Sequence, residues 1–538
     1  MAARDIQHGL AARSSLVTGA RKAARAVAVT YGPHGRLAIL DRAAGHMATK
    51  DGVTVAREVG LSDRLENQGA QIVTAACIKV NDDVGDGTTT VAVLVDALLA
   101  EGHKLIAAGH DPMALTRGMQ KAGTALAKAI RAMAHKLVTQ EDVERVAMLS
   151  SNGDREIAKH LAEACMAVGK DGTVTVEDGV GLETTLEFKE GMELADQGPC
   201  DPRFLKDKTE RVLDDPLVAV IHGRLRSVAD VQDMMEAASQ WPNNPLVVFC
   251  LIAEGDALTT MVLNDAKNVV RCVPIGAPGT QGRKEDYLRD IAALSGATFV
   301  DTNAGLHHRT WDADWFGGLK QVTTGFRRTV LVGRDGASPH VAERIMELRA
   351  QETTCKSDYD RDRIQERLAK LSGGLALLKV GGATEAAMKE RRARVEDALS
   401  AVRCALRGGV VAGGGVAYLR AAQHAWFVVK DRGDEYLGAD AVRKAFHKPL
   451  QVLADNAGAE GVVVVDAVRG KLEAGTYPEW SDKALWEGWD ALTGTYRNLF
   501  ADPMVADPTE VAVAVVTTAI SVATTLLTAE TAILFSKP

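Results

Sequence analysis

The sequence predicts a helical domain assembled from both chain ends, with an α/β domain inserted between its halves. Three observations predict it. The first 135 residues are Ala-rich with apolar positions at helical spacing. Short strand-like runs alternate with helical ones over roughly 190 to 374, and Ala-rich helix returns beyond 385. At 538 residues the chain is too long for one hydrophobic core, so about two to four domains are expected.

Residues 10 to 31 read as a helix that ends at YGPHGR, where Gly32, Pro33 and Gly35 force a turn. LAILD follows as a short strand, then a turn and TVAREV. From 65 to 135 the helical pattern is broken by the GDG turn and by AAGHDP, and 141 to 170 add a helix pair. The texture changes near 172. TVTVEDG and TLEFKEG alternate as strands do, and PLVAVIHG, PLVVFCLIAEG, NVVRCVPIGAP and ATFVD follow at short intervals. VADVQDMMEAAS and RKEDYLRDIAALSG are helical segments between them. Residues 341 to 371 form a charged helical hairpin with a break at SDYD. VAVAVVTTAISVATTLLTAETAIL is the longest apolar stretch, but its threonines, Ser521, Glu510 and Glu530 favour a buried core helix over a membrane span.

Hydrophobic content of 46% with 25% charge describes a soluble globular protein, and 4% aromatics implies aliphatic cores. A net charge of -8 argues against nucleic acid as a partner, since phosphate neutralisation needs a basic face. The seven cysteines include no CxxC pair, which reads as reduced thiols and not as a disulfide framework or zinc site. The N-terminus is charged from Arg4 onward and lacks the long apolar core of a signal peptide, so a cytoplasmic location is expected.

NDDVGDGTTT (81 to 90) places Asp86, Gly87, Thr88, Thr89 and Thr90 ahead of an apolar helical run. A turn into a helix N-terminus offers unpaired N–H groups and partial positive charge to phosphate oxygens. Threonine hydroxyls add donors, and Asp86 is suited to holding magnesium between phosphates. The same residues also describe a Thr-rich capped helix, and this stretch alone leaves both readings open. A P-loop is excluded because no GxxxxGK[ST] occurs, and a DxDxT phosphatase signature fails because Val84 stands two residues before Asp86. The kinase set is missing too. TYGPHGR, Lys50 with Asp51, the triple glycine 413 to 415, and Asp507 before Pro508 have similar chemical character, and each taken singly fits a structural turn.

TYGPHGR, TKDGVTVARE, ENQGAQ, NDDVGDGTTT, VGKDGTVTVEDG, SDYDRDRIQERLAKLSGG, KVGGATEAAMKERRARVEDAL, GVVAGGGVAYLR and DALTGTYRNLF…VADPTEV occur in the order seen in group I chaperonins. The chain resembles a GroEL-type subunit from its first residues to about 530. The resemblance implies a mainly α equatorial ATPase domain from 1–133 and 408–538. It also implies a small α/β intermediate hinge domain (134–189 and 375–407) and an inserted α/β apical domain (190–374) that binds substrate and lid. Such a subunit is an ATP-dependent chaperone that encloses non-native proteins in a ring cavity, with ATP hydrolysis timing the cycle. ATP, Mg2+ and K+ are its cofactors. Its partners are non-native clients, a small lid co-chaperonin and copies of itself in a seven-membered ring or stacked double ring, with neither nucleic acid nor membrane.

By motif, Thr30, Tyr31, Gly32 and Pro33 would line the nucleotide with Lys50 beside it. Asp86 would hold the metal, and Gly87, Thr88, Thr89 and Thr90 would wrap the phosphates. Asp51 and Asp397 would be the catalytic carboxylates flanking the γ-phosphate, with Asp397 on the hinge directing water. Gly414 would touch the nucleotide, Asp490, Ala491 and Leu492 the base, and Asp507 the ribose. Client binding would fall to Phe204, Val231, Met234, Met235, Leu258, Val262 and Leu263.

The chain departs from the family's pattern in several places. Pro199 and Arg203 replace apical tyrosines, Gln232 and Asp233 interrupt the first groove helix, and Gln197 replaces an arginine used between subunits. Tyr31 and His34 stand where Leu and Lys are usual, and a longer segment carries Trp480, Trp486 and Trp489. The sequence ends at SKP without a Gly-Gly-Met tail. These changes mark a diverged paralogue, with a second reading as a binding scaffold whose folding cycle is weakened or lost.

Overall fold

The strands Arg4–His8 and Thr531–Phe535 pair antiparallel, Ile6 opposite Ile533, so the two chain ends meet. The computed structural model describes residues 4–535 except 43–44, 152, 170–172, 180, 190, 207–208, 280–282, 302–308, 335–338, 356–357, 373–374, 383, 426–428, 430–432 and 471–484. Two units result, one from Met1–Ala162 with Ala393–Pro538 and the other from Glu163–Arg392.

The first unit is helical. Its N-terminal half holds α1 (Gly9–Ala28), α2 (Gly52–Glu58), α3 (Arg64–Val84), α4 (Thr88–Ala107) and α5 (Pro112–Ala132). Local chemistry sets their starts. Asp51, Asp63 and Asp111 each accept two backbone N–H groups of the following turn, and Pro112 occupies the first position of α5. Alanine lets the helices approach closely, and Ala12, Ala20 and Ala24 of α1 are completely buried. The apolar C-terminal stretch becomes the helix Thr509–Thr528. By length and composition it could cross a membrane, yet 67% of its most apolar window is buried against α3, α4 and α5. One difference from the sequence reading is that LAILD is half of a hairpin, Ala38–Arg42 paired with Gly45–Thr49. The second strand, GHMAT, lacks a β-branched alternating pattern and so went unseen.

The second unit carries three sheets. Leu217–Leu225, Leu246–Ala253, Cys272–Gly276 and Phe299–Asp301 are parallel, with helices Gln232–Ala238, Gly255–Ala266 and Lys284–Ser295 crossing between successive strands. Val218, Val220, Val247, Phe249 and Val273 are all fully buried, as expected of a parallel sheet covered on both faces. A separate antiparallel sheet orders Gly191–Ala195, Arg328–Val332, Gln321–Gly325 and Glu210–Asp214. In the third sheet, Leu375–Val380 pairs parallel with Thr173–Asp178 and antiparallel with Thr185–Lys189.

The charged hairpin appears as helices Pro339–Thr354 and Asp358–Ser372. Buried charge ties it to Lys284–Ser295. Asp290, 0% exposed, accepts from Arg344 Nε at 2.8 Å and from Arg367 Nε at 2.6 Å. Removing the carboxylate would leave Arg344 only Glu347 and Arg367 only Asp286, both more exposed acids, so the loss is expected to approach the roughly 3–5 kcal/mol of a broken buried pair. Asp290→Ala is therefore expected to lower the urea midpoint of the second unit, read by a tryptophan signal from Trp311 or Trp315. An unchanged midpoint would mean that the hairpin is held by its apolar contacts alone.

Candidate functional site

The turn between α3 and α4 gathers the chemistry-bearing residues. Gly85 (φ 75°) closes α3 and Gly87 (φ 96°) caps α4, both in the left-handed region. Gly87 offers no side-chain cap, so the first amides of the 20-residue α4 are left unanswered by one. A Cβ on Gly87 would lie 2.6 Å from Val515 of the C-terminal helix, so this seat accepts only glycine. Gly87 N–H donates to Asp86 Oδ1 at 2.5 Å.

Three other segments reach this turn. Asp51 caps α2, accepting from Val53 N at 3.1 Å and Thr54 N at 2.8 Å. Beside it Gly52 approaches so closely that a Cβ would lie 2.4 Å from Thr89 Oγ1 and 3.5 Å from Thr30 Oγ1. The helix Glu385–Gly408 brings Asp397. Its Ser400 sits on Gly85, where a Cβ would come within 2.4 Å of Ser400 Cβ, and Cys404 Sγ donates to Val84 O at 3.5 Å. Asp397, Ser400 and Cys404 follow at helical spacing, so one face of that helix meets the turn. Asp507 lies on Ala506–Pro508, opposite Val411 of Val410–Ala412.

The electrostatics show that these carboxylates share one environment. Burial pushes Asp507 up to about 7, and the charge of Asp86 adds to it. Asp397 is pushed up to about 6 by burial, then by Asp86, Asp51 and Glu396. Burial also raises Asp86, against the Gly87 N–H that favours its charged form. Asp86 and Asp397 nevertheless keep contact with solvent, so the surrounding protein removes part of their hydration without closing them off. Burial likewise raises the hydroxyl of Tyr31, with Asp507 and Asp86 adding and a hydrogen bond with Thr90 opposing. Tyr418, which the sequence did not flag, is buried and feels Asp507, Tyr31 and Asp86.

The two glycine-rich turns meet across one side chain. A Cβ on Gly32 would lie 2.3 Å from Leu453 Cδ1, and one on Gly414 would lie 3.5 Å from Leu453 Cδ2. Asn456, one helical turn on, donates to Tyr31 O at 3.0 Å. Leu453 and Asn456 are positioning residues with no motif of their own. The hairpin Glu487–Asp490 with Thr495–Asn498 stands close by, the carbonyl of Trp489 being 3.7 Å from the Gly414 Cβ position. Asp490 itself is committed elsewhere. Burial alone would raise it, but Arg497 Nε (2.9 Å) and Leu492 N (2.9 Å) donate to its carboxylate and hold it below the usual range. Its side chain anchors the hairpin, while Ala491 is buried and Leu492 exposed. Thr88 is buried, and its hydroxyl donates to Cys77 O at 3.5 Å. Lys50 and Pro33 are exposed, and no bond among the described residues ties Lys50 to the carboxylates. Trp480 lies outside the described residues.

Oxygen ligands suit a hard divalent cation, and a cation would relieve the mutual repulsion of the carboxylates. No three acidic, histidine or cysteine side chains among the described residues form a ready cage.

The expected apolar surface of the second unit requires correction. Phe204, Val231, Met234 and Met235 are core residues, packed with Val220, Phe249 and Met261. Val231, Met234 and Met235 recur at core-facing helical spacing, so they fill the space beneath Gln232–Ala238 instead of lining an open groove. On Gly255–Ala266, Leu258 and Val262 are half-buried against that core, and only Leu263, 53% exposed, presents itself to solvent.

The backbone matches the chaperonin gp146 from the bacteriophage EL 2 (Pseudomonas aeruginosa), crystallised in the presence of ATP-BeFx. Crystal form II matches with a TM-score of 0.75 and 20% identity, and form I with 0.67 and 21%; each comparison covers 99% of both chains. At that identity the likeness concerns the fold. The sequence profile of the TCP-1/cpn60 chaperonin family matches residues 23–240 and 247–537, nearly the whole chain, and this protein therefore belongs to the TCP-1/cpn60 chaperonin family.

Proposed function

We propose that this chaperonin is an ATP-dependent molecular chaperone that encloses non-native proteins in the cavity of a homo-oligomeric ring, with ATP hydrolysis timing the cycle. The observation that carries the reading is the convergence of Asp51, Asp86, Asp397 and Asp507 beside the uncapped N-terminus of α4. ATP is the substrate, and the crystallisation of gp146 with ATP-BeFx supports a nucleotide at this fold. Asp86 is the residue suited to hold Mg2+, which when bound neutralises phosphate charge. K+, a seven-membered single or stacked double ring, a small lid co-chaperonin and a cytoplasmic location belong to the same reading, as does a division into equatorial, intermediate and apical domains.

The chain's own residues then take distinct roles. The free amides and threonines at the start of α4 bind phosphate oxygens, and Gly32 and Gly414 let backbone approach the nucleotide. Asp397 orients the attacking water and accepts its proton once ionised. Phosphoryl transfer is largely dissociative, so alignment and charge neutralisation matter more than base strength. A scaffold with a weakened cycle is the second reading, favoured by the burial of Phe204, Val231, Met234 and Met235.

Asp397→Ala is expected to keep ATP binding and lose most turnover, about a hundredfold or more for a positioned proton acceptor. Single-turnover hydrolysis beside a nucleotide-binding titration checks this, and wild-type turnover in the variant would sink the assignment. Refolding of a stringent client, with and without a lid protein, separates folding machine from scaffold.

The raised carboxylates also make a linkage prediction for the ligand-free protein. Asp507 rises from its ordinary 3.8 to about 7, so between these values the folded state holds more protons than the unfolded state. Its contribution therefore falls as pH rises from about 4 to about 7 and is constant outside that window. Asp507→Asn should gain stability relative to wild type across that window, the difference being smallest near pH 4. Thermal melts in matched buffers measure the difference, and a gain independent of pH would show that Asp507 ionises normally.

A further inference from the structure

A groove of ≈ 670 Å³ in the first unit is lined by α1, α4 and residues from Lys444 to Asn456, and none of the four carboxylates above lines it. Arg21 Nε donates to Asp96 Oδ1 at 2.6 Å and Arg25 Nε to Asp96 Oδ2 at 3.3 Å, so two guanidinium groups share one carboxylate. Lys448 Nζ donates at 2.8 Å to Gln451 Oε1, a neutral acceptor, and has no carboxylate partner among the described residues. Lys444 is paired with Asp440 at 2.9 Å. Glu101 is the other lining carboxylate, so four cations face two acids. Burial, with the cations Lys448 and Arg469 adding to it, holds His447 down at about 4, which leaves that imidazole neutral at pH 7. Ala28, Val29, Val93, Ala97, Ala100 and Val452 form the apolar part of the wall.

We propose that this groove is a second small-molecule site, selective for an organic phosphate whose phosphoryl group rests on Arg25 and Lys448 and whose apolar body lies along Val29, Val93 and Val452. Its size falls in the usual range for ligand sites, and the combination of a few cations with an apolar wall is what such a ligand requires. Asn456 both lines the groove and donates to Tyr31 O, so an occupant would touch the residue that holds the Tyr31 turn. The proposal does not depend on the nucleotide reading of the carboxylate recess.

Calorimetric titration of the full chain with phenyl phosphate and with inorganic phosphate tests it. Phenyl phosphate is expected to bind saturably and more tightly than inorganic phosphate. Arg25→Gln and Lys448→Gln should each weaken it about tenfold, the loss of one charge-assisted contact. Glu101→Gln should tighten binding, a gain that no misfolded variant would give, and Asp86→Asn should leave it unchanged. Absence of saturable binding overturns the proposal. So does binding that survives Lys448→Gln but is lost in Asp86→Asn, since the ligand would then occupy the carboxylate recess. Failure of the nucleotide reading registers separately, in the turnover of Asp397→Ala.

Discussion

Like charges held in a shared recess are the constraint on which the first unit depends. Two carboxylates at a given separation repel about four times more strongly at an effective dielectric of about 20 than in bulk water. The walls that exclude water around Asp86, Asp397 and Asp507 therefore matter as much as the charges. Such a cluster persists only where rigid packing enforces it. The enforcement is visible in the contacts that accept no Cβ: Gly87 on Val515, Gly85 on Ser400 and Gly52 on Thr89. The buried alanines and valines behind them make the enforcement stiff, since a close-packed core transmits strain and does not relax it.

The same constraint gives the recess its chemistry. A relaxed carboxylate in water is already satisfied, whereas these are raised in pKa and poised to gain from a cation or a proton. Asp51 has a second task in the fold. Its oxygens already accept the amides of Val53 and Thr54, so it is fixed in place as a helix cap while its charge is still felt by Asp397. One residue thus serves as fold determinant and electrostatic neighbour, and the choice between a structural turn and a functional carboxylate dissolves for it.

What the sequence made legible follows from the range of the interactions involved. The GDGTTT turn could be read because left-handed glycines and a helix start are local events, settled by neighbours along the chain. The insertion of an α/β unit between helical halves was legible because periodicity changes visibly near 172 and again beyond 385. Leu453, Asn456, Ser400 and Tyr418 were not legible, since nothing in their neighbours says that they meet residues hundreds of positions away. The second unit marks the limit from the other side. Val231, Met234 and Met235 form an apolar stripe at helical spacing, and such a stripe identifies a face without saying whether protein or solvent covers it. Here protein covers it. Asp490 shows the same limit, because the partner that holds its carboxylate, Arg497, lies across a hairpin and is not marked by any local pattern.

The helix Lys448–Asn456 joins these threads. Leu453 is wedged between the Gly32 and Gly414 turns, and Asn456 hydrogen-bonds the carbonyl of Tyr31, so two turns far apart in sequence are fixed by one short helix. A helix is a stiff element, and a displacement at one end is carried to the other with little loss. Lys448 stands at its start, in the cationic groove, and Asn456 at its end, against the Tyr31 turn. A single rigid element therefore touches both the positive groove and the backbone that borders the carboxylate recess. The physical link between the two places is a packed helix about 13 Å long at 1.5 Å per residue, and it needs no assumption of long-range motion.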